Sequence, residues 1–138
     1  MTVPRTTKGG TRGKVFSVVA RLRIKDAECL LANRRNNGAI YLAGYAVECQ
    51  LKYAYCQRKD SVYLPGNLEV HDWDRLVNEA GLRKDIKAQA KMEALYSALV
   101  DQWGPGLRYR TADYSSREVN RLYNELNQLY KFLSELVP

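Results

Sequence analysis

The chain has little of what disulfide-linked, zinc-binding or redox proteins need. It contains three cysteines and one histidine among 138 residues. Cys49 and Cys56 lie seven residues apart on one predicted helix, which puts their Cα atoms about 10.5 Å apart, too far for a disulfide. With His71 as the single imidazole, no spacing fits a metal site. The sequence therefore predicts neither a bound metal nor a cofactor.

Long apolar runs are also missing. No stretch reaches the roughly 20 consecutive apolar residues that a membrane-spanning helix requires. The N-terminal region lacks the apolar core of a signal peptide, and the cysteine pattern favours a reducing compartment. We expect a cytoplasmic protein that does not contact a membrane.

The positive charge is concentrated at the N-terminus. The chain carries 22 Lys and Arg against 15 Asp and Glu, a net charge of +7. Arg5, Lys8, Arg12 and Lys14 supply four of these charges without any acid between them, so the remainder carries only +3. We predict a disordered basic tail over residues 1–13 and a helical domain over residues 14–138. Such a tail permits contact with nucleic acid, or serves only to keep the chain in solution.

Apolar side chains recur with helical spacing along the whole domain, and no segment alternates as a strand would. The predicted helices span about residues 14–35, 39–58, 72–81, 85–103 and 115–138. Residues 36–38, Asn-Asn-Gly, are expected to close the first helix, and Asp72 and Ser115 are expected to cap the third and the last. The fold class is all-α, an up-and-down antiparallel bundle of four long helices and one short helix.

The second predicted helix is apolar nearly all round, which indicates burial on more than one side. In so short a chain, we expect part of that cover to come from another subunit, and hence a homodimer. The first helix has one apolar face, interrupted near Asp26, which we expect to face the core. Its members are Val15, Val18, Val19, Leu22, Cys29 and Leu30.

Glu48 and Lys52 on the second helix are four residues apart, in the order that favours a helical ion pair. One interpretation is an ion pair that allows two charges to lie on an apolar helix. The other is the polar floor of a nucleotide or RNA site. Both residues are therefore candidate ligand-binding residues.

The segment from Trp103 to Tyr114 places two arginines and two tyrosines between two helices. Arg108 and Arg110 offer planar donors for phosphate, and Tyr109 and Tyr114 offer faces on which a base can stack. All four are candidate ligand-binding residues, since binding residues favour loops on a rigid scaffold. The alternative is a loop anchored by its tyrosine rings and solvated by its arginines.

His71 precedes a predicted helix, where it either fixes the helix start through a hydrogen bond or takes part in catalysis. A cysteine–histidine nucleophile pair is not expected, because all three cysteines are predicted to occupy buried helix positions.

Taken together, these segments resemble the HEPN domains of bacteria and archaea. The similarity lies in Leu42-Ala-Gly-Tyr-Ala-Val-Glu-Cys-Gln-Leu-Lys52, in His71-Asp-Trp73 with Ala80-Gly-Leu82, in Trp103 followed by Arg108-Tyr109, and in the final amphipathic helix. It covers about residues 15–137. The resemblance implies a helical bundle that commonly dimerises. Members of the HEPN family act as metal-independent RNases, as RNA- or nucleotide-binding modules, or as partners of small nucleotidyltransferases in toxin–antitoxin and defence loci.

The RNases of that family share an Arg-x4–6-His motif near the start of the last long helix, and this chain departs from it. Arg108 matches the arginine, but the three possible histidine positions hold Asp113, Tyr114 and Ser115. Imidazole transfers a proton near neutral pH far better than an exposed aspartate does. The resemblance thus implies an RNA- or nucleotide-binding HEPN-like protein of a toxin–antitoxin or defence system, rather than an active RNase.

Two alternatives remain open at this point. The first is an atypical RNase toxin, for which Arg108, Asp113 and His71 are the candidate catalytic residues. The second is a structural dimerisation module that binds a small nucleotidyltransferase.

Overall fold

The computed structural model describes residues 10–138, and within that range it contains six α-helices and no β-strand. The predicted all-α fold class is confirmed. The helices are α1 (Gly13–Ala32), α2 (Asn36–Arg58), α3 (Trp73–Ala80), α4 (Arg83–Lys87), α5 (Ala90–Val100) and α6 (Ser116–Leu136). Short 3₁₀ helices lie at Gly66–Leu68 and Pro105–Tyr109. None of the described helices is long and apolar enough to cross a membrane.

The predicted basic tail lies outside the described residues for positions 1–9. Residues 10–13 contact the segment after α2. The Leu64 amide donates to the Thr11 carbonyl at 2.8 Å, and the Gly13 amide donates to the Val62 carbonyl at 2.9 Å. These contacts fix the start of α1 beside the end of α2.

Helix α2 is the centre of the molecule. It packs against α1, α3 and α6, and 13 of its 23 residues are buried. The predicted burial on several sides is confirmed, and other helices of the same chain provide the cover. The three-residue connection between α1 and α2 returns the chain antiparallel.

The predicted core face of α1 is wrong. The buried positions of this helix are Gly13, Ala20, Ile24 and Ala27, whereas Val18 and Leu22 are 44% and 43% exposed. The buried positions keep helical spacing too, but they carry mostly small side chains. Small side chains let α1 approach α2 closely. Cys29, predicted to be buried, is exposed as well.

The predicted long helix over residues 85–103 is two helices, α4 and α5, with an extended residue, Gln89, between them. No proline or glycine explains the break. On one continuous helix, Ile86 and Leu99 would face directions about 140° apart, at 100° per residue. Both side chains are buried, so the break allows both to reach the same core. Residues 10–138 therefore form three long α-helices, one of medium length and two short ones, rather than the predicted four long helices and one short one.

Local capping signals were predicted correctly. The Asp72 carboxylate accepts a hydrogen bond from the Arg75 amide at 3.2 Å, and Gly81 ends α3 with φ 71°. Ser115 and Glu118 form the capping box of α6. The expected stop at residues 36–38 is wrong, because these residues form the first turn of α2. The left-handed residue between α1 and α2 is instead Arg34, with φ 59°.

Candidate functional site

The loop over residues 104–114, here called the arginine loop, is fixed to the first turn of α2. The Asn37 side-chain amide donates to the carbonyls of Arg110 at 3.3 Å and Ala112 at 3.1 Å. Its oxygen accepts from the Tyr114 amide at 3.1 Å. The Asn36 side chain donates to the Tyr114 carbonyl at 2.9 Å. Two asparagines thus hold the loop, which contains the short 3₁₀ helix Pro105–Tyr109.

The residue before the arginine loop is packed against the middle of α2. Trp103 is buried, and its indole nitrogen donates to the Tyr41 carbonyl at 3.2 Å. Its ring stacks on those of Tyr41 and Trp73, with centroids 5.9 and 5.2 Å away. A Cβ at Gly44 would lie 2.0 Å from the indole nitrogen. Only glycine at this position lets the indole lie flat on α2.

The four predicted loop residues have different environments. Arg108 donates from Nε to the Pro105 carbonyl at 3.0 Å, and its guanidinium lies 5.5 Å from the Tyr109 ring centroid. Tyr109 is 77% exposed. Arg110 lies 3.9 Å over the ring of Tyr114, which is buried. The anchoring interpretation therefore describes Tyr114, whereas Tyr109 presents an open ring to solvent.

Neither arginine of this loop forms an ion pair with an acid within residues 10–138. Asp113 is exposed and makes no ion pair in the same range. A guanidinium without a carboxylate partner can form paired hydrogen bonds with a phosphate. The guanidinium groups of Arg108 and Arg110 therefore have capacity for an external anion.

Three ionisable residues form a second group, here called the Glu48 cluster: Glu48, Lys52 and His71. The Lys52 ammonium lies 3.0 Å from Glu48 Oε2, which confirms the predicted ion pair. His71 Nδ1 lies 2.9 Å from Oε1 and 3.1 Å from Oε2 of the same carboxylate. Glu48 is fully buried, while the His71 side chain is 49% exposed.

The Glu48 cluster borders a half-open cavity of about 290 Å³ between α1, α2 and the segment before α3. His71, Lys52 and Tyr45 give the cavity its polar side, with Glu69 and Thr11 at its edge. Val15, Phe16 and Val19 of α1 form an apolar wall. Lys52 Nζ also lies 5.6 Å from the Phe16 ring centroid. The cavity therefore joins an apolar surface to a cation and an imidazole.

The buried thiols are poor nucleophiles. Burial raises the pKa of Cys49 to about 12, with the nearby Glu48 charge adding to the effect. Burial also raises the pKa of Cys56 to about 11. Burial and the adjacent Cys49 raise the pKa of Tyr45 far above its ordinary value, so this phenol remains a neutral donor at the cavity. The thiolate that a cysteine nucleophile requires does not form at either buried cysteine near neutral pH.

The two predicted ligand-binding groups are separate. No residue of the arginine loop lines the cavity beside Glu48. Glu48 lies eleven residues along α2 from Asn37, which is roughly 16 Å along the helix axis. His71, which sequence reasoning left without a partner, joins Glu48 and Lys52 rather than Arg108.

Sequence reasoning missed the residues that position these groups. The sequence pattern predicts a helix stop at Asn36 and Asn37, whereas in the structure their side chains hold a loop more than 70 residues away. Phe16 was not assigned to any site. The sequence contained only a weak signal for the Glu48 cluster. A buried carboxylate has more lone pairs than one lysine can satisfy, so a further donor was to be expected, but nothing in the sequence identified it as His71.

A scan against protein-family models matched no family, and searches of the curated proteins and of the solved structures found no match. The resemblance to HEPN domains stays a prediction.

Proposed function

We propose that the protein binds RNA or nucleotides through the arginine loop. The observation that carries this proposal is the surface formed by Arg108, Tyr109 and Arg110: two arginines without acidic partners in the described chain, beside a tyrosine that is 77% exposed. Arginine binds phosphate through paired hydrogen bonds, and an exposed aromatic ring stacks on a base.

The scaffold supports the same function. Asn37 binds the loop backbone at three points, so ordering the loop costs little when a ligand binds. The net charge of +7 adds a long-range attraction for polyanions. This is also the function that the HEPN resemblance implies for a chain without the RNase histidine.

Fluorescence anisotropy with a labelled single-stranded RNA and with ATP tests the proposal. Arg108→Ala and Arg110→Ala are each expected to weaken RNA binding about tenfold, because a charge-assisted hydrogen bond contributes about 1.5 to 3 kcal/mol. Each change should also reduce the slope of log K against log salt by about 0.7. Arg75→Ala, an exposed arginine on α3 without an acidic partner in the described chain, is the matched control.

Deletion of residues 1–9 separates the loop from the basic tail. It should weaken binding at low salt only, since the tail contributes charge without sequence preference. Equal affinity in wild type and both loop variants, with loss only in the deletion, would contradict the proposed site.

The atypical RNase receives less support. Arg108, Asp113 and His71 make no hydrogen bond or ion pair with one another, and His71 lines a cavity that no loop residue borders. A base and an electrophile must meet around one substrate atom. We therefore place RNA binding before RNA cleavage.

Dimerisation is favoured by a specific surface, though on α1 rather than on α2. Val18 and Leu22, about one helical turn apart, are more than 40% exposed and form a short outward stripe on α1. Large apolar side chains aligned on one helix face are typical of a docking surface. We propose that a second copy of the chain covers this stripe.

The orientation of the second copy does not follow from the charges of α1, because Asp26 already pairs with Arg23 at 3.0 Å and Arg21 and Lys25 lie in the same part of the helix. The same stripe is where a nucleotidyltransferase partner from a toxin–antitoxin or defence locus would compete.

Sedimentation equilibrium measures this directly. Leu22→Glu should shift a dimer to monomer, because a charge would be buried without a partner. Val62→Glu, at another exposed apolar position of 63% exposure, is the matched control. A monomeric wild type at tens of micromolar would contradict the dimer.

A further inference from the structure

The hydrogen bond between His71 and Glu48 fixes the chemistry of the histidine ring. Lys52 lies 3.0 Å from Glu48 Oε2, and a carboxylate paired with an ammonium only accepts hydrogen bonds. Its contacts at 2.9 and 3.1 Å therefore require a proton on His71 Nδ1. In the neutral ring, Nε2 then carries the lone pair.

A carboxylate that holds an imidazole in this tautomer is the arrangement by which hydrolases orient a general base. The position of these residues allows His71 to reach a molecule in the cavity. His71 borders the 290 Å³ cavity and is half-exposed there, whereas Glu48 lies fully buried behind it.

Lys52 brings a positive charge to the same cavity. Its ammonium and His71 Nδ1 both touch Glu48 Oε2, so the two nitrogens lie within about 6 Å of one another, given ordinary hydrogen-bond lengths. The Lys52 side chain is 8% exposed, and a charge in such a site acts strongly on a nearby developing anion. Of its three N–H groups, one faces Glu48.

We propose that this cavity hydrolyses small carboxylic esters, with His71 as the general base. His71 Nε2 takes a proton from water while the water oxygen bonds to the ester carbonyl carbon. The carbonyl oxygen becomes an anion beside the Lys52 ammonium. When the tetrahedral intermediate collapses, the carbon–alkoxide bond breaks and the alkoxide takes the proton from His71. The products are a carboxylic acid and an alcohol.

The remaining lining defines the substrate class. Val15, Phe16 and Val19 offer an apolar wall for the acyl chain. The volume is near the lower limit for small-molecule sites, which favours short acyl groups. Glu48 touches no substrate atom in this scheme and is a positioning residue.

Steady-state hydrolysis of p-nitrophenyl butyrate by the full chain tests the proposal. Cys29 is an exposed free thiol that a reactive ester acylates once, so every protein carries Cys29→Ser. The starting protein should release nitrophenolate with turnover above the buffer rate. His71→Gln should lower kcat about 100-fold or more, since general-base catalysis contributes 10²- to 10⁴-fold. Arg75→Ala is the control that should keep the starting rate.

Glu48→Gln distinguishes positioning from substrate binding. It should lower kcat at least tenfold with KM unchanged, because the glutamine no longer enforces one tautomer. Since removal of a buried charge can unfold the chain, the tautomer is also measured directly in the starting protein. His71 is the single histidine, so one pair of imidazole signals appears in a long-range ¹⁵N–¹H spectrum. Alkaline conditions should show Nδ1–H.

Three results would overturn the proposal: turnover no faster than buffer, an undiminished rate in His71→Gln, or a neutral ring protonated at Nε2. None of them touches the RNA-binding measurements, which report on another part of the molecule.

Discussion

The charged groups of the Glu48 cluster are buried and paired with one another, whereas those of the arginine loop are exposed and have no acidic partner among residues 10–138. In the cluster, a fully buried carboxylate contacts an ammonium at 3.0 Å and an imidazole at 2.9 Å. In the loop, two guanidinium groups lie over tyrosine rings and pair with no acid of residues 10–138. Burial makes an unpaired charge very costly, whereas solvent makes it nearly free.

This difference separates stability from binding. Removing a partner from the cluster leaves a charge stranded in the core, so the fold should suffer first. Removing a loop arginine leaves no buried charge without a partner, so the affinity for a ligand should fall while the free energy of unfolding stays nearly the same. Helix α2 connects the two regions, since Glu48 lies in its middle and Asn37 in its first turn.

Lys52→Met should have the largest effect on stability. It leaves the Glu48 carboxylate buried with only His71 beside it, and breaking one partner of a buried ion pair costs about 3 to 5 kcal/mol. Urea unfolding followed by circular dichroism measures the loss. Glu48→Gln combined with Lys52→Met should recover part of it, because no charge is then stranded. A single variant as stable as wild type would show that the pair is not buried in solution.

Gly44→Ala should have the next largest effect on stability, and it should also displace the arginine loop. The new methyl would lie 2.0 Å from the Trp103 indole nitrogen, so the ring must move and the arginine loop with it. Overpacking of this kind costs up to about 3 kcal/mol. Tryptophan emission should shift to the red, and trypsin should cut faster after Arg108 and Arg110. Gly66→Ala is the control, because no atom lies within 4 Å of its Cβ position.

Asn37→Ala should loosen the loop at a smaller cost. It removes two hydrogen bonds donated to loop carbonyls and one accepted from the Tyr114 amide, a loss of about 1 to 2 kcal/mol. RNA affinity should also fall, although Asn37 is not proposed to touch RNA. Hydrogen exchange of the Tyr114 amide reports the loosening. Unchanged exchange would contradict the role of Asn37 as the residue that holds the loop.

Tyr109→Ala should have the smallest effect on stability, within about 0.5 kcal/mol, since an exposed side chain with few contacts contributes little. Its effect on single-stranded RNA should be clear, because one stacked base contributes about 1 to 3 kcal/mol. Tyr109→Phe keeps the ring and should bind as wild type does. If Tyr109→Ala lowered the melting temperature as well as the affinity, the conclusion that loop residues contribute to binding and not to stability would be wrong.

Much of the fold could be predicted because its signals are local. The cap of Asp72 on α3, the left-handed Gly81 and the Ser115–Glu118 box each involve residues within one turn of the chain. The Glu48–Lys52 ion pair is equally local, at a spacing of four. Such contacts depend on backbone geometry that the sequence fixes over a few residues.

The face of α1 and the break between α4 and α5 could not be predicted in the same way. Two stripes of α1 have helical spacing, one of valines and leucine and one mostly of small residues, and the approach of α2 selects the second. Residues 85–103 contain no helix breaker, yet the common core of Ile86 and Leu99 requires a break. The sequence shows which residues are apolar enough to be buried, but the packing of the helices decides which of them are buried.

By itself, the sequence determined the all-α class, the helix caps, the central place of α2 and the concentration of arginine and tyrosine after Trp103. Only the tertiary structure decided what these residues contact. It joined His71 to Glu48 across 23 positions and Asn37 to Tyr114 across 77. A side chain's local neighbours follow from the helical repeat, but its distant neighbours depend on how all the helices pack together.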